Sequence, residues 1–162
     1  MSEYRFDSRS KEEFEKDIKS RTMEERALFF MWLDLLEKET GVRPKFTDTG
    51  CGRDGNLLDD NKVSTLPDFE VEGYGKVEVK FSNPNLDRAF HLKVNQVKSY
   101  HQNGAMILMV NGAADPVPTF TILKPEALGK IIDAYKVIPF KGFGWKPAYR
   151  IPVKDFIWRP LK

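Results

Sequence analysis

The sequence predicts a single-domain α/β protein, because three of its segments show the hydrophobic periods of strands and helices. Residues 75–82 alternate apolar and polar side chains, which is typical of a half-buried strand. Residues 105–110 form an apolar run bounded by glycines, as in a strand buried on both faces. Residues 22–40 carry apolar side chains at three- and four-residue spacing, which indicates an amphipathic helix. With no linker in the chain, we expect one domain over 1–162.

The elements before the alternating strand follow from capping and breaking signals. Ser10 opens a short helical pattern, and residues 22–25 have the form of a capping box that opens a second, longer helix. Residues 42–47 predict a first strand, which Pro44 places at the edge of a sheet. We interpret the long segment 48–66 as a substrate-contacting loop, with plain disorder as the alternative.

The later elements follow from the same signals. Residues 68–74 predict a strand that pairs with the alternating strand through a glycine-containing turn. Residues 92–104 predict a short helix with glycine at its C′ position. A further strand is expected at 119–123, and a helix with proline in its first turn at 125–135. The prolines of 138–162 predict irregular structure with short edge strands, outside a core of roughly residues 22–123.

The alternating strand carries the residues with the clearest chemical meaning. Glu78 and Lys80 share its polar face, and the preceding strand can place Asp68 beside them. Two carboxylates supply the oxygen ligands that Mg²⁺ prefers, and a lysine can orient a metal-bound water and offset charge on a phosphate. The bland alternative is a solvated strand face with a weak ion pair. The same three-letter pattern at 17–19 and 60–62 lies in a helix and a loop, where it cannot group its charges in this way.

Taken together, these residues resemble the PD-(D/E)XK nuclease superfamily. The matching elements are Pro67-Asp68, Glu78-Val79-Lys80 and residues 96–100, the last of which is similar to the QxxxY motif of the RecB-like branch. The match covers roughly residues 42–111. The resemblance implies a restriction-endonuclease-like core, with elements in the order α-β-β-β-α-β and a mixed sheet flanked by helices.

The resemblance also implies a metal site. Asp68 and Glu78, with the backbone carbonyl of Val79, would bind Mg²⁺, for which Mn²⁺ would substitute. Lys80 would serve the attacking water.

Other positions take implied roles around that site. Gln96 and Tyr100 would order the site and contact the nucleic acid. Many members of the superfamily also carry a glutamate on the first core helix, and Glu25 is our preferred residue for that role, with the capping-box function as the alternative that the sequence pattern favours. The spacing leaves other helix glutamates open, namely Glu24, Glu37 and Glu39.

Charge and position suggest where phosphates would bind. Arg53, Lys93 and Lys98 are the expected phosphate contacts. Residues 139–162 add six basic residues against one acid, interleaved with aromatic side chains. Such a segment can neutralise phosphates and stack on unpaired bases. Equally, its aromatic side chains could complete the core while its lysines face water.

Composition excludes several other classes of protein. The single cysteine, Cys51, excludes an internal disulfide framework and fits a reducing compartment. With only two histidines, a zinc site lacks the usual ligands. The charged N-terminus has no apolar segment of the signal-peptide type, so we expect a cytoplasmic protein without membrane association. No small-molecule cofactor is indicated.

The sequence therefore predicts a Mg²⁺-dependent endonuclease that hydrolyses DNA phosphodiester bonds in processing, repair, recombination or restriction. Two alternatives remain: a catalytically inactive nucleic-acid-binding module on the same fold, and an interaction protein in which the motif is coincidental. The sequence does not choose between single-stranded, duplex, branched or RNA substrates. A homodimer is one arrangement that would cut two strands.

Overall fold

The structure is a computed structural model that describes residues 4–6, 11–49, 62–64 and 67–162. The protein is mixed α/β, as the sequence predicts. The chain divides into two compact units, Met1–Val79 and Lys80–Lys162. Among the described residues, no helix combines the length and the apolar character needed to cross a bilayer.

The first unit contains one long helix and strands that pair antiparallel. Its elements are β1 (Tyr4–Phe6), α1 (Lys11–Thr40), β2 (Phe46–Asp48), β3 (Lys62–Ser64), β4 (Phe69–Val71) and the beginning of β5 (Gly75–Ser82). Strands β2, β4 and β5 are successive antiparallel neighbours, whereas β1 pairs with β3. Most of the predicted loop 48–66, including Cys51 and Arg53, lies outside the described residues.

Helix α1 corrects the prediction of two separate helices. It runs for 30 residues through Thr22 without a break and ends at Thr40. No glycine or proline interrupts this stretch, and a threonine is tolerated inside a helix, so the local capping signal does not start a new one. Glu25 is therefore not a capping-box residue. The predicted stop is confirmed, because Gly41 adopts a φ of +81° and its N–H donates to the carbonyl of Glu37 at 2.8 Å.

The core of the first unit is aromatic. Phe29, which is fully buried, stacks face to face on Phe69 with ring centroids 3.8 Å apart. It also meets the edge of Phe46 at 5.0 Å. One turn further along α1, Trp32 packs edge-on against Tyr74 at 5.4 Å. These contacts fix α1 against β2 and β4.

The predicted pairing of β4 with β5 is confirmed, with Phe69 opposite Val77 and a turn over residues 72–74. Val77 and Val79 are buried, as the alternation predicts. Glu78, on the opposite face of the strand, is only 6% exposed. The polar face of β5 is therefore not the solvated surface of the bland alternative.

The second unit begins inside β5 and contains two helices and six further strands among its described residues. These are β6 (Ala89–Lys93), α2 (Val94–Gln102), β7 (Met106–Asn111), β8 (Thr119–Leu123), α3 (Pro125–Ala134), β9 (Val137–Phe140), β10 (Lys146–Pro152) and β11 (Arg159–Pro160). The predictions for α2, β7, β8 and α3 are confirmed to within one or two residues. Gly104, at C′ of α2, has the expected positive φ of +67°.

The strands of the second unit form antiparallel sets in the orders β11-β8-β7 and β6-β10-β9. The central place of β10 corrects the prediction that 138–162 supplies only short edge strands. Its prolines, Pro147 and Pro152, lie near its two ends, so the residues between them keep their N–H groups. Side chains from β6, α2, β7, β8, α3 and β10 form the core of this unit.

Asn111, at the end of β7, holds the segment that follows β5. It is 3% exposed. Its Oδ1 accepts from the N–H of Leu86 at 2.8 Å, and its Nδ2 donates to the Leu86 carbonyl at 2.9 Å. The hydroxyl of Ser82 lies 3.1 Å from the same Oδ1. The side-chain amide of Asn111 thus supplies the hydrogen bonds that a neighbouring strand would otherwise give to this irregular segment.

Replacing Asn111 with leucine is expected to lower the free energy of unfolding by about 1–3 kcal/mol, because buried backbone groups of Leu86 lose their partners. The matched control is Asn95→Leu, at an exposed position of α2, which is expected to change stability by less than about 0.5 kcal/mol. Urea denaturation of both variants measures the difference. Equal midpoints for the two variants would contradict the role assigned to the amide.

Candidate functional site

In the first unit, the side chains of Asp68 and Glu78 each accept a hydrogen bond from a backbone N–H of the other residue's segment. The N–H of Asp68 donates to Oε2 of Glu78 at 3.2 Å. In return, the N–H of Val79 donates to Oδ2 of Asp68 at 2.9 Å. Each carboxylate is therefore oriented by a backbone donor at the point where β4 and β5 meet. Backbone hydrogen bonds lower the cost of burying a carboxylate.

The chain just before β4 is fixed by Thr49. Its N–H donates to the carbonyl of Asp68 at 2.9 Å, and its hydroxyl donates to the carbonyl of Pro67 at 2.7 Å. Both bonds come from the end of β2, the antiparallel neighbour of β4. The Pro67-Asp68 pair singled out in the sequence is thus held by four hydrogen bonds to residues of the flanking β2 and β5 segments.

Asp48 forms an ion pair with Arg26 that the sequence does not predict. Asp48 is the last residue of β2, and its Oδ2 accepts from the Arg26 guanidinium on α1. This ion pair links the end of β2 to α1. No short-range pattern indicates this pair, since its members are 22 residues apart.

The carboxylate oxygens of Asp68 and Glu78 suit a hard cation that binds few protein ligands. Within the described ranges, no three Asp, Glu, His or Cys side chains come together as a metal cluster. Glu25, half-buried on α1, is engaged in an interaction of its own and does not complete such a cluster with Asp68 and Glu78. Mg²⁺ commonly binds through one or two carboxylates and keeps several waters, so two oriented carboxylates with a backbone carbonyl fit it.

In the second unit, Lys80 and Gln96 form a direct pair. The Lys80 ammonium donates to Oε1 of Gln96 at 2.9 Å. Lys80 belongs to β5 and Gln96 to the first turn of α2, and both are half-buried. The amide of Gln96 thus restricts the ammonium to a narrow range of positions.

Tyr100 lies one turn after Gln96 on α2. It is 4% exposed and belongs to the hydrophobic core of the second unit, where Val97 from the same helix is also buried. Its ring is therefore a packing element that fixes the helix face carrying Gln96. This position favours the ordering part of the role implied for it over direct contact with a nucleic acid.

The expected phosphate contacts lie in different settings. Lys98 is exposed on α2. Lys93, at the junction of β6 and α2, is half-buried, and its ammonium lies 5.2 Å from the centre of the Phe143 ring. Arg53 lies outside the described residues. Two of the three expected phosphate contacts, Lys93 and Lys98, therefore lie in the second unit.

Comparison of the chain with protein-family models, with curated proteins and with solved structures found no match.

Proposed function

We propose that this protein is a metal-dependent nuclease of the PD-(D/E)XK type that hydrolyses DNA phosphodiester bonds in the cytoplasm. The observation that carries the proposal is the reciprocal bonding of Asp68 and Glu78, each oriented by a backbone N–H of the other's strand. Carboxylates that bind metals are commonly oriented by hydrogen bonds of this kind. If β3 and β6 are taken as insertions, the order of α1, β2, β4, β5, α2 and β7 along the chain matches the α-β-β-β-α-β core implied by the resemblance.

Asp68 and Glu78, with the carbonyl of Val79, would hold the Mg²⁺ ion. When bound there, the ion would lower the pKa of a water and stabilise charge on the phosphate oxygens. The two carboxylates bring the negative charge that attracts the cation, and their backbone hydrogen bonds keep them oriented without the cation. Burial of Glu78 keeps bulk water away from its side of the strand.

Lys80 is the residue that we assign to the attacking water. Its ammonium can donate a hydrogen bond to that water and offset the charge that develops on the phosphate. Gln96 acts as a positioning residue, because its Oε1 accepts from the same ammonium. Tyr100 supports Gln96 by anchoring α2 in the core. These roles assign a separate function to each of the matching motif residues.

Cleavage of labelled DNA by the wild type and by Lys80→Ala tests the proposal. The substrates are single-stranded, duplex and branched DNA, each with Mg²⁺, with Mn²⁺ or with EDTA. We expect metal-dependent cleavage by the wild type and a rate about 10² to 10⁴ lower in Lys80→Ala, the usual contribution of a proton-transfer group. The control Lys130→Ala removes an exposed lysine from α3 and should cleave normally.

Binding without cleavage by the wild type would contradict the nuclease proposal and favour an inactive binding module. Cleavage that persists in EDTA, or that survives in Lys80→Ala, would also contradict it.

A further inference from the structure

The sheet β6-β10-β9 in the second unit has two faces of different character. Phe90 and Leu92 of β6 lie opposite Ile151 and Tyr149 of β10, and all four are buried in the core. The alternate residues point the other way. His91 lies opposite Arg150 on this second face, which we call the outer face.

Two aromatic rings stack against each other on the outer face. His91 of β6 and Phe140 of β9 stack with ring centroids 3.8 Å apart and planes 6° from parallel. In the strand register Ala148 lies midway between them on β10, and it is fully buried. A side chain as small as alanine at this position lets the two rings meet. Phe143 extends the layer, edge-on to Phe140 at 4.9 Å.

Cations surround these rings. The Lys93 ammonium lies 5.2 Å from the centre of the Phe143 ring. Lys146 and Arg150 of β10 are both exposed. They lie on the same outer face, one on each side of Ala148 along the strand. Burial, together with the Arg150 guanidinium, lowers the pKa of His91, so its stacked imidazole is neutral at neutral pH. The face thus presents neutral rings among permanent positive charges.

The strands of this sheet contain no acidic residue that would offset these positive charges. The strands and hairpin that form this sheet, residues 89–93 and 137–152, contain four Lys or Arg and no Asp or Glu. The whole chain carries a net charge of only +2. Positive charge is therefore concentrated in these stretches, which is the electrostatic pattern of a phosphate-binding surface.

Trp145 directly precedes β10 in the hairpin between β9 and β10. It is 64% exposed, although indole is among the side chains most favoured for burial. Its backbone has a φ of +67°, a conformation that bulky residues rarely adopt, and its N–H is held by the carbonyl of Phe140 at 2.9 Å. A bulky residue kept in a strained loop conformation with its ring in solvent suggests a contact with a ligand.

We infer that the outer face, with Trp145 at its edge, binds an unpaired nucleic-acid strand. Trp145 would stack on a base, while Lys146 and Arg150 would neutralise neighbouring phosphates. A duplex keeps its bases stacked inside, so an exposed indole gains a base only from an unpaired strand. This inference goes beyond the proposed nuclease activity, because none of the residues that carry it belongs to the carboxylate pair or to the Lys80–Gln96 pair.

The test measures binding in EDTA, so that it does not depend on cleavage. Fluorescence anisotropy compares a short labelled oligothymidine, the matching oligouridine and a duplex of equal length, for the wild type and for Trp145→Ala. We expect the wild type to prefer the unpaired strand. Trp145→Ala should weaken that binding about 5- to 100-fold, the usual contribution of one stacked base, with little effect on duplex binding. Trp145→Phe should recover part of the affinity.

Salt dependence tests the cations separately. The double variant Lys146→Ser/Arg150→Ser should reduce the slope of log affinity against log salt by about 1.4, since each single-strand phosphate contact contributes about 0.7. Lys124→Ser/Lys130→Ser makes the same change in net charge at exposed positions before and on α3, and should leave the slope unchanged. Ile157→Ala removes another exposed apolar side chain and is the control for Trp145→Ala.

Several outcomes would overturn the inference. Equal affinity for duplex and single strand, or unchanged binding by Trp145→Ala, would exclude stacking. Equal salt slopes in the two double variants would exclude a local phosphate site. Binding of polyglutamate as tight as that of the oligonucleotides would show that the face recognises acidic polymers by charge alone. Binding of oligothymidine but not oligouridine, or the reverse, supports the inference and identifies the strand as DNA or RNA.

Discussion

Glu78→Gln is expected to abolish metal-dependent DNA cleavage, with a loss of at least about 100-fold. The amide keeps an oxygen that can accept from the N–H of Asp68, as Oε2 does at 3.2 Å, so the hairpin should remain intact. It removes the negative charge that binds the cation. Because a metal ion contributes several kcal/mol of charge stabilisation to phosphate hydrolysis, and each 1.36 kcal/mol changes the rate tenfold, partial loss of the ion has a large effect.

The matched control is Glu70→Gln, an exposed carboxylate on β4 two residues after Asp68. It should cleave at the wild-type rate. Thermal unfolding with and without Mg²⁺ gives a second readout, because an ion that binds the folded state raises its stability by mass action. We expect Mg²⁺ to raise the melting temperature of the wild type and of Glu70→Gln, but not of Glu78→Gln. A shift of equal size in all three proteins would show that Mg²⁺ binds elsewhere.

Phe29→Ala is expected to have the largest effect on stability, lowering the free energy of unfolding by about 3–5 kcal/mol. Phe29 is fully buried and contacts the rings of both Phe69 and Phe46, so truncation leaves a cavity between α1 and the strands. A loss of that size is a large share of the 5 to 15 kcal/mol that holds a typical domain folded. Because Phe69 directly follows Asp68, cleavage should also fall.

Met23→Ala is the control for this prediction. Met23 lies on the same helix but is 74% exposed, so its truncation should change stability by less than about 0.5 kcal/mol. Urea denaturation of both variants gives their free energies of unfolding, which are compared at the same slope of free energy against urea concentration. If Phe29→Ala lost no more than Met23→Ala, the stacked contact with Phe69 would not be the packing centre of the first unit.

The sequence predicted the elements whose signals are local. Residues 119–123 and the proline-led helix at 125 carry their strand and helix signals within a few positions, and both predictions are confirmed. The prediction that a new helix begins at Thr22 was wrong. The capping-box signal is also local, and an uninterrupted run of helix formers outweighs it. The prolines of β10 suggested an edge strand, but the preference depends on where in the strand a proline lies.

The candidate site was less predictable, for a different reason. Alternation along β5 shows that Glu78 and Lys80 share a face, but it does not show whether that face is covered. The burial of Glu78 and the bond between Lys80 and Gln96 depend on contacts across many residues of sequence. Likewise, the sequence does not show which aromatic residues of 139–162 are buried and which are exposed. Tyr149 lies in the core, whereas Trp145 faces solvent.

The exposed indole of Trp145 gives the protein an optical reporter of its own. The chain has three tryptophans, and the other two are shielded. Trp32 is 3% exposed in the first unit, and Trp158 is half-buried, with its Nε1 donating to the carbonyl of Val153 at 2.9 Å. A soluble quencher such as iodide should therefore act mainly on Trp145. The emission of Trp32 should stay constant until the first unit unfolds, so one unlabelled sample can report both oligonucleotide binding and folding.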